Sequence, residues 1–149
     1  MLLLHGTGAS LHTWDGWTQQ LKDSFRVVSV DLPAFGLTGP HPDRDYRIPA
    51  YVDFVAAFAE KTGLDSFHLA GNSLGGLIAW NFTLKHPDRV EKLILVDPSG
   101  FPKKAETPLA LRLAKNPILG GLLRFITPKD LFEKSLRSVY GNPDLVTDE

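Results

Sequence analysis

Four short apolar runs, Leu2 to Leu4, Arg26 to Val30, Phe67 to Ala70 and Leu93 to Val96, constrain the fold of this chain more than any other feature. Each is rich in branched side chains and nearly free of polar alternation, so each reads as a strand covered on both faces. Longer amphipathic segments separate them. Short buried strands alternating with helices imply an α/β architecture, a parallel sheet with helices packed on both faces.

The intervening helices have their own signatures. "HTWDGWTQQLK" places Trp14, Trp17 and Leu21 at spacings of three and four, a stripe suited to packing on a sheet, with a reach into a pocket as the alternative reading. "IPAYVDFVAAFAEKTG" repeats the pattern with Ile48, Tyr51, Val55, Phe58 and Ala59 and stops at Gly63, which suits a left-handed C-terminal cap. The third helix, Leu74 to Lys85, is apolar nearly all round and is ended by Pro87, so it is expected to be the most buried. Beyond Phe101 the texture changes. Pro102, Pro108, Pro117 and Pro128 interrupt short helical stretches, and Thr127-Pro128 opens one good helix that closes at Gly141. The expected organisation is a core over residues 1–101 and a helical lid over 102–149.

Composition removes several function classes. Sixteen basic residues against seventeen acidic ones, a net charge of -1, give no broad field for nucleic acid or an anionic membrane surface, so neither is expected as a partner. No apolar run approaches the roughly 20 residues that span a bilayer. The opening "MLLLHG" reads as a strand rather than a signal peptide, and a cytoplasmic location is the default expectation. The chain has no cysteine, which excludes disulfides, thiolate metal sites and cysteine nucleophiles together.

The chemistry-bearing stretch is "HLAGNSLGG". Gly71, Ser73 and Gly75 form G-x-S-x-G between the third strand and the third helix, the context in which that motif lifts a serine hydroxyl clear of a sheet. A serine at so sharp a turn takes a strained backbone conformation, and side chains two residues to either side would collide. Gly76 extends the clearance. No lysine follows as a phosphate-binding loop requires. A second motif, "LLLHGTGAS", ends the first strand in His5-Gly6-Thr7-Gly8. Acyl transfer needs backbone N–H donors for the developing oxyanion, and the amides of Thr7 and Leu74 are placed to supply them. His5, directly after the strand, reads as a brace for that loop rather than as a base.

With both motifs in place the chain resembles the α/β-hydrolase superfamily, in the branch of esterases, epoxide hydrolases, haloalkane dehalogenases and carbon-carbon bond hydrolases. "LLLHGTG" looks like its oxyanion loop, "VVSVDLPAFGLTG" is similar to its "DxPGxGxS" loop, "GNSLGG" to its nucleophile elbow, and "HPDRVEKLILVDPSG" to the stretch entering the next strand. Ala34 replaces a usual glycine and Thr38 a common serine. Serine in the elbow argues against the dehalogenases and epoxide hydrolases, which use aspartate there. The resemblance implies Ser73 as nucleophile, no metal or cofactor, and a small-molecule ester or related carbonyl substrate. Asn72 before the serine is similar to the carbon-carbon hydrolases, in which it helps position substrate; Asn72, Gly6 and Gly8 are therefore the substrate-positioning candidates.

In the family the acid and the histidine follow the serine on loops after later strands. Here the only later histidine is His86, at the far end of the helix that starts at Ser73, and a rise of about 1.5 Å per residue puts it roughly 20 Å away. His68 begins the strand that leads to the serine, some 15 Å back at about 3.3 Å per residue. His12 and His41 lie in loops nearer the sheet's functional edge, where the family has no base. Asp97, at the end of the fourth strand, has two readings: the triad carboxylate, as in some family members, or a turn cap before Pro98. The resemblance also implies four of some eight strands, in the family's spatial order 4-3-5-6, with the first hairpin expected before Met1. Both sheet edges would then be bare, which invites self-association or complementation by another segment.

Overall fold

The computed structural model describes residues 1–101. Strands β1 (Leu2–Leu4), β2 (Val28–Val30), β3 (Phe67–Asn72) and β4 (Val90–Val96) alternate with helices α1 (Asp15–Leu21), α2 (Ile48–Lys61) and α3 (Leu74–Lys85). Short 3-10 turns at Leu11–Trp14 and Pro87–Arg89 lead into α1 and β4. The expected lid, including the helix from Thr127 to Gly141, falls outside the described residues.

The sheet is wholly parallel in the order β2-β1-β3-β4. This is the arrangement that the resemblance implies, with the chain's first strand in the third position of the family. In register, Leu2 lies opposite both Val28 and Leu69, and Leu4 opposite Val30 and Gly71. β3 and β4 pair from His68 with Lys92 through Asn72 with Val96.

β1 is central, so its side chains are buried on both faces. Leu2 and Leu4 join Val30, Leu69, Tyr51, Val52, Val55, Ala59, Ile78, Ala79 and Phe82 in the larger core, where α2 and α3 cover one face. Leu3 points the other way, as strand alternation requires, and meets Trp14 and Ala70. Trp14 thereby resolves the alternative in favour of packing, and Trp17 stands edge-on to it with ring centroids 5.0 Å apart. α1 is shorter than its stripe suggested because the segment through Trp14 winds as a 3-10 turn.

α3 is the most buried of the three α-helices, through Gly75, Gly76, Ile78, Ala79 and Phe82, although Leu84 on its far side is exposed. α2 ends as expected, with Gly63 at φ 66 just past its cap. Three strand boundaries differ from the sequence reading, the first being β3, which runs two residues past Ala70 to Asn72. β2 begins two residues later than expected, at Val28, and leaves out Arg26, whose guanidinium donates to the Thr62 carbonyl. β4 begins three residues earlier, at Val90, and its exposed Glu91 and Lys92 mark it as an outer strand rather than one covered on both faces.

Candidate active site

In a parallel sheet every strand ends at the same edge, so His5 and Gly6 after β1, Asp31 after β2, Ser73 after β3 and Asp97 to Ser99 after β4 form one rim. In this strand order the connections diverge between β1 and β3, the switch point at which open α/β sheets bind their ligands. Gly6 and Ser73 meet there. A Cβ added to Gly6 would stand 3.1 Å from the Ser73 Cβ and 2.7 Å from Asn72 Oδ1.

Ser73 occupies φ 51, ψ -110, a conformation that L-residues rarely adopt. Its neighbours enforce it. The Ser73 N–H donates to the Val96 carbonyl at 3.1 Å, and its own carbonyl accepts from Ser99 N–H at 2.9 Å and from Leu77 N–H at 3.0 Å. The glycines follow from the same crowding: a Cβ on Gly71 would collide with the Gly75 carbonyl, and one on Gly75 with the Leu4 carbonyl. A Cβ on Gly76 would lie 2.8 Å from the Pro98 Cβ.

Two peptide planes at this rim are fixed by what their carbonyls accept. The Gly6 carbonyl takes bonds from His5 Nδ1 at 2.8 Å and from Ala9 N–H at 3.2 Å. Because a trans peptide sets N–H opposite to C=O, the Thr7 amide points the other way. The Ser73 carbonyl is held by Ser99 and Leu77, so the Leu74 amide likewise points away from them. Leu74 is the first residue of α3, where N–H groups have no intrahelical acceptor. Among the described residues neither amide donates to another group. Gly8, exposed with φ 75, carries the loop onward.

His5 has the bracing role expected of it. Fully buried, it accepts the Leu32 N–H on Nε2 at 3.0 Å, which leaves the proton on Nδ1 for the Gly6 carbonyl. Asn72 donates from Nδ2 to the Val96 carbonyl at 3.2 Å, fastening the serine turn to β4. The other histidines stand apart from Ser73: His12 pairs with Asp15, His68 with Glu91, His41 accepts the Asp43 amide, and the His86 ring lies against Phe82. Asp97 follows β4 directly, at φ 44, with its side chain exposed and, among the described residues, hydrogen-bonded to nothing.

Two residues of the rim escaped the sequence reading. Asp31 is a buried carboxylate that gathers the Leu11 amide at 2.8 Å and the Leu37 amide at 3.0 Å, tying together the loops after β1 and β2. Burial pushes its carboxyl up, but those two amides, helped by His5 and His12 nearby, more than reverse this and hold it below the usual carboxylate value. Ser99 Oγ stands 3.4 Å from Ser73 Oγ. An acid closing an apolar strand before a proline, and a serine just past a strand end, were the available signals. A cavity of about 790 Å³ lies elsewhere, between the loop after β2 and α2, lined by Pro33, Thr38, His41, Asp45 and Phe54 among others. It includes none of the serine-turn residues. Among the described residues no group of three or more His, Cys, Asp or Glu side chains could hold a metal ion, and no helix is long and apolar enough to cross a membrane.

Residues 1–128 match the family of proteins with the alpha/beta hydrolase fold, and the chain belongs to that family. It is 34% identical over 115 residues to a human (Lyso)-N-acylphosphatidylethanolamine lipase, covering 75% of this chain and 34% of the lipase. It is 30% identical over 103 residues to a 2-hydroxymuconate semialdehyde hydrolase from a Pseudomonas species, covering 67% of this chain and 36% of that enzyme. Among solved structures, 2-hydroxy-6-oxo-6-phenylhexa-2,4-dienoate hydrolase from a Rhodococcus species superposes with a TM-score of 0.77 at 25% identity, over 96% of this chain and 51% of that one. The chain thus spans between 23% and 36% of the length of the curated relatives it matches, and about half of the solved structures. Its relatives include a lipase and other hydrolases.

Proposed function

We propose that this protein hydrolyses a carboxylic ester or related small carbonyl compound by attack of Ser73 and an acyl-enzyme intermediate. The observation that carries the reading is the backbone of Ser73, held at φ 51, ψ -110 between β3 and α3 as a nucleophile elbow. The Thr7 and Leu74 amides, oriented away from their carbonyls' partners, act as the oxyanion hole. The likeness to a lipase at 34% identity supports ester chemistry. Both ring nitrogens of His5 are engaged, and His12, His41, His68 and His86 stand apart from Ser73, so on this reading the base is not a histidine of the same copy of this sequence. A contribution from another segment or a second copy fits that arrangement, across the edges of β2 and β4 that are unpaired among the described residues.

A fluorophosphonate probe tests the claim. Ser73 in the full-length protein should label and the Ser73→Ala variant should not; an unlabelled Ser73, or ester turnover equal to that of Ser73→Ala, leaves a non-catalytic binding module instead. A second reading, carbon-carbon cleavage of a dienoate, is favoured by Asn72 ahead of the serine together with the likeness to 2-hydroxymuconate semialdehyde hydrolase. Turnover of a vinylogous diketo acid well above that of p-nitrophenyl esters would select it.

A further inference from the structure

The segment after β4 is folded back onto the serine. Left-handed backbone at Asp97, φ 44, and at Gly100, φ 96, brackets Pro98 and Ser99 and reverses the chain over the start of α3. Three contacts seat it there. The Ser99 N–H donates to the Ser73 carbonyl at 2.9 Å, the Trp80 Nε1–H donates to the Ser99 carbonyl at 3.3 Å, and Pro98 fills the space that a side chain on Gly76 would need. With its N–H and C=O both engaged, the Ser99 backbone has little freedom. Its side chain is thereby delivered to 3.4 Å from the Ser73 hydroxyl, and both groups are half-buried.

From this geometry we infer that Ser99 is a positioning residue for Ser73: its hydroxyl donates to Ser73 Oγ, holds the Ser73 side chain in one rotamer, and leaves the Ser73 proton free to face an incoming base. The inference rests on the reading of Ser73 as a nucleophile. The spacing of 3.4 Å is long for O–H···O, as such bonds often are before substrate is bound, and it shortens as negative charge grows on Ser73 Oγ. A single staggered well matters because an exposed serine hydroxyl otherwise samples three. Attack requires the oxygen to lie within about 3–3.5 Å of the carbonyl carbon in the right direction, so time spent in the wrong wells is lost rate. Ser99 touches no reacting bond; it acts through Ser73.

The test uses the full-length protein with Ser99→Ala, which keeps the backbone N–H and therefore the strap, and Ser99→Thr, which keeps the hydroxyl. Two readouts are taken. The first is the Ser73 side-chain rotamer, from three-bond couplings to selectively labelled serine: one rotamer in the parent and in Ser99→Thr, averaging in Ser99→Ala. The second is the rate of fluorophosphonate labelling and of ester turnover: Ser99→Ala slowed about tenfold in kcat with KM within twofold, and most of the loss recovered in Ser99→Thr. Averaging confined to Ser99→Ala supports the inference even if the parent fails to label, an outcome that removes the nucleophile reading and leaves the clamp. A single Ser73 rotamer in Ser99→Ala overturns it. So does a parent that labels, but no faster than Ser99→Ala, or a loss in Ser99→Thr as large as that in Ser99→Ala.

Discussion

Replacing Ser73 by glycine should leave the protein more stable than replacing it by alanine, although both variants lack the hydroxyl. At φ 51, ψ -110 a residue bearing a Cβ is strained, at a cost of about 1–3 kcal/mol. Alanine keeps that Cβ and keeps the cost. Glycine removes it but gives the unfolded chain more freedom, which takes back about 0.4–1 kcal/mol. Mid-range values leave Ser73→Gly ahead of Ser73→Ala by about 1 kcal/mol. With a urea dependence of about 1.5 kcal/mol per molar, the midpoints should differ by about 0.7 M. Since each variant equally loses the contact with Ser99, the difference isolates the backbone. An alanine variant as stable as the glycine one would show that the turn stores no strain, and the case for an enforced elbow would fall with it.

Two other perturbations probe the rim. The Asp31 carboxyl is held below its ordinary value of about 3.9, so the folded state releases this proton more readily than the unfolded chain; the resulting stability is present above that value and is lost as pH falls through the lower, folded one. Asp31→Asn should cost about 1–3 kcal/mol at pH 7, because one of the two amides loses its acceptor, and should flatten the acid limb of urea titrations carried below about pH 4; an acid limb as steep as the parent's counts against it. Ala34 sits at φ 71, so Ala34→Gly should raise stability by about 0.5–1 kcal/mol, the left-handed strain less the entropy of glycine; a lowered thermal midpoint would contradict the argument.

The sequence made the sheet legible because buried parallel strands leave no choice of face, so runs such as Leu2 to Leu4 and Leu69 to Ala70 identify themselves. α3 was legible to the residue, because Ser73 and Pro87 punctuate it sharply. β4 was misjudged at its start, since Glu91 and Lys92 look like a loop until the strand is known to lie on the outside. The serine turn was readable from local spacing, and so was the bracing role of His5 beside it. Asp31 and Ser99 were not, for one shared reason. Their roles come from partners far along the chain, Leu11 to Asp31 and Ser73 to Ser99, and no periodicity records such a pairing.

The bonds from Ser73 to Val96 and Ser99 also set an order of events in folding. α3 can gain structure from its own residues and β3 from pairing with β1, but the turn between them costs free energy that neither repays. Its compensation comes from a strand whose end is more than twenty positions later in the chain, as the pairing of Asn72 with Val96 records. Contacts of that separation form only after the intervening loop has closed. On the ribosome, then, the G-x-S-x-G sequence emerges well before its geometry exists. A nascent chain that has exposed α3 but not β4 carries a relaxed serine, and the strained one is acquired when the fourth strand docks.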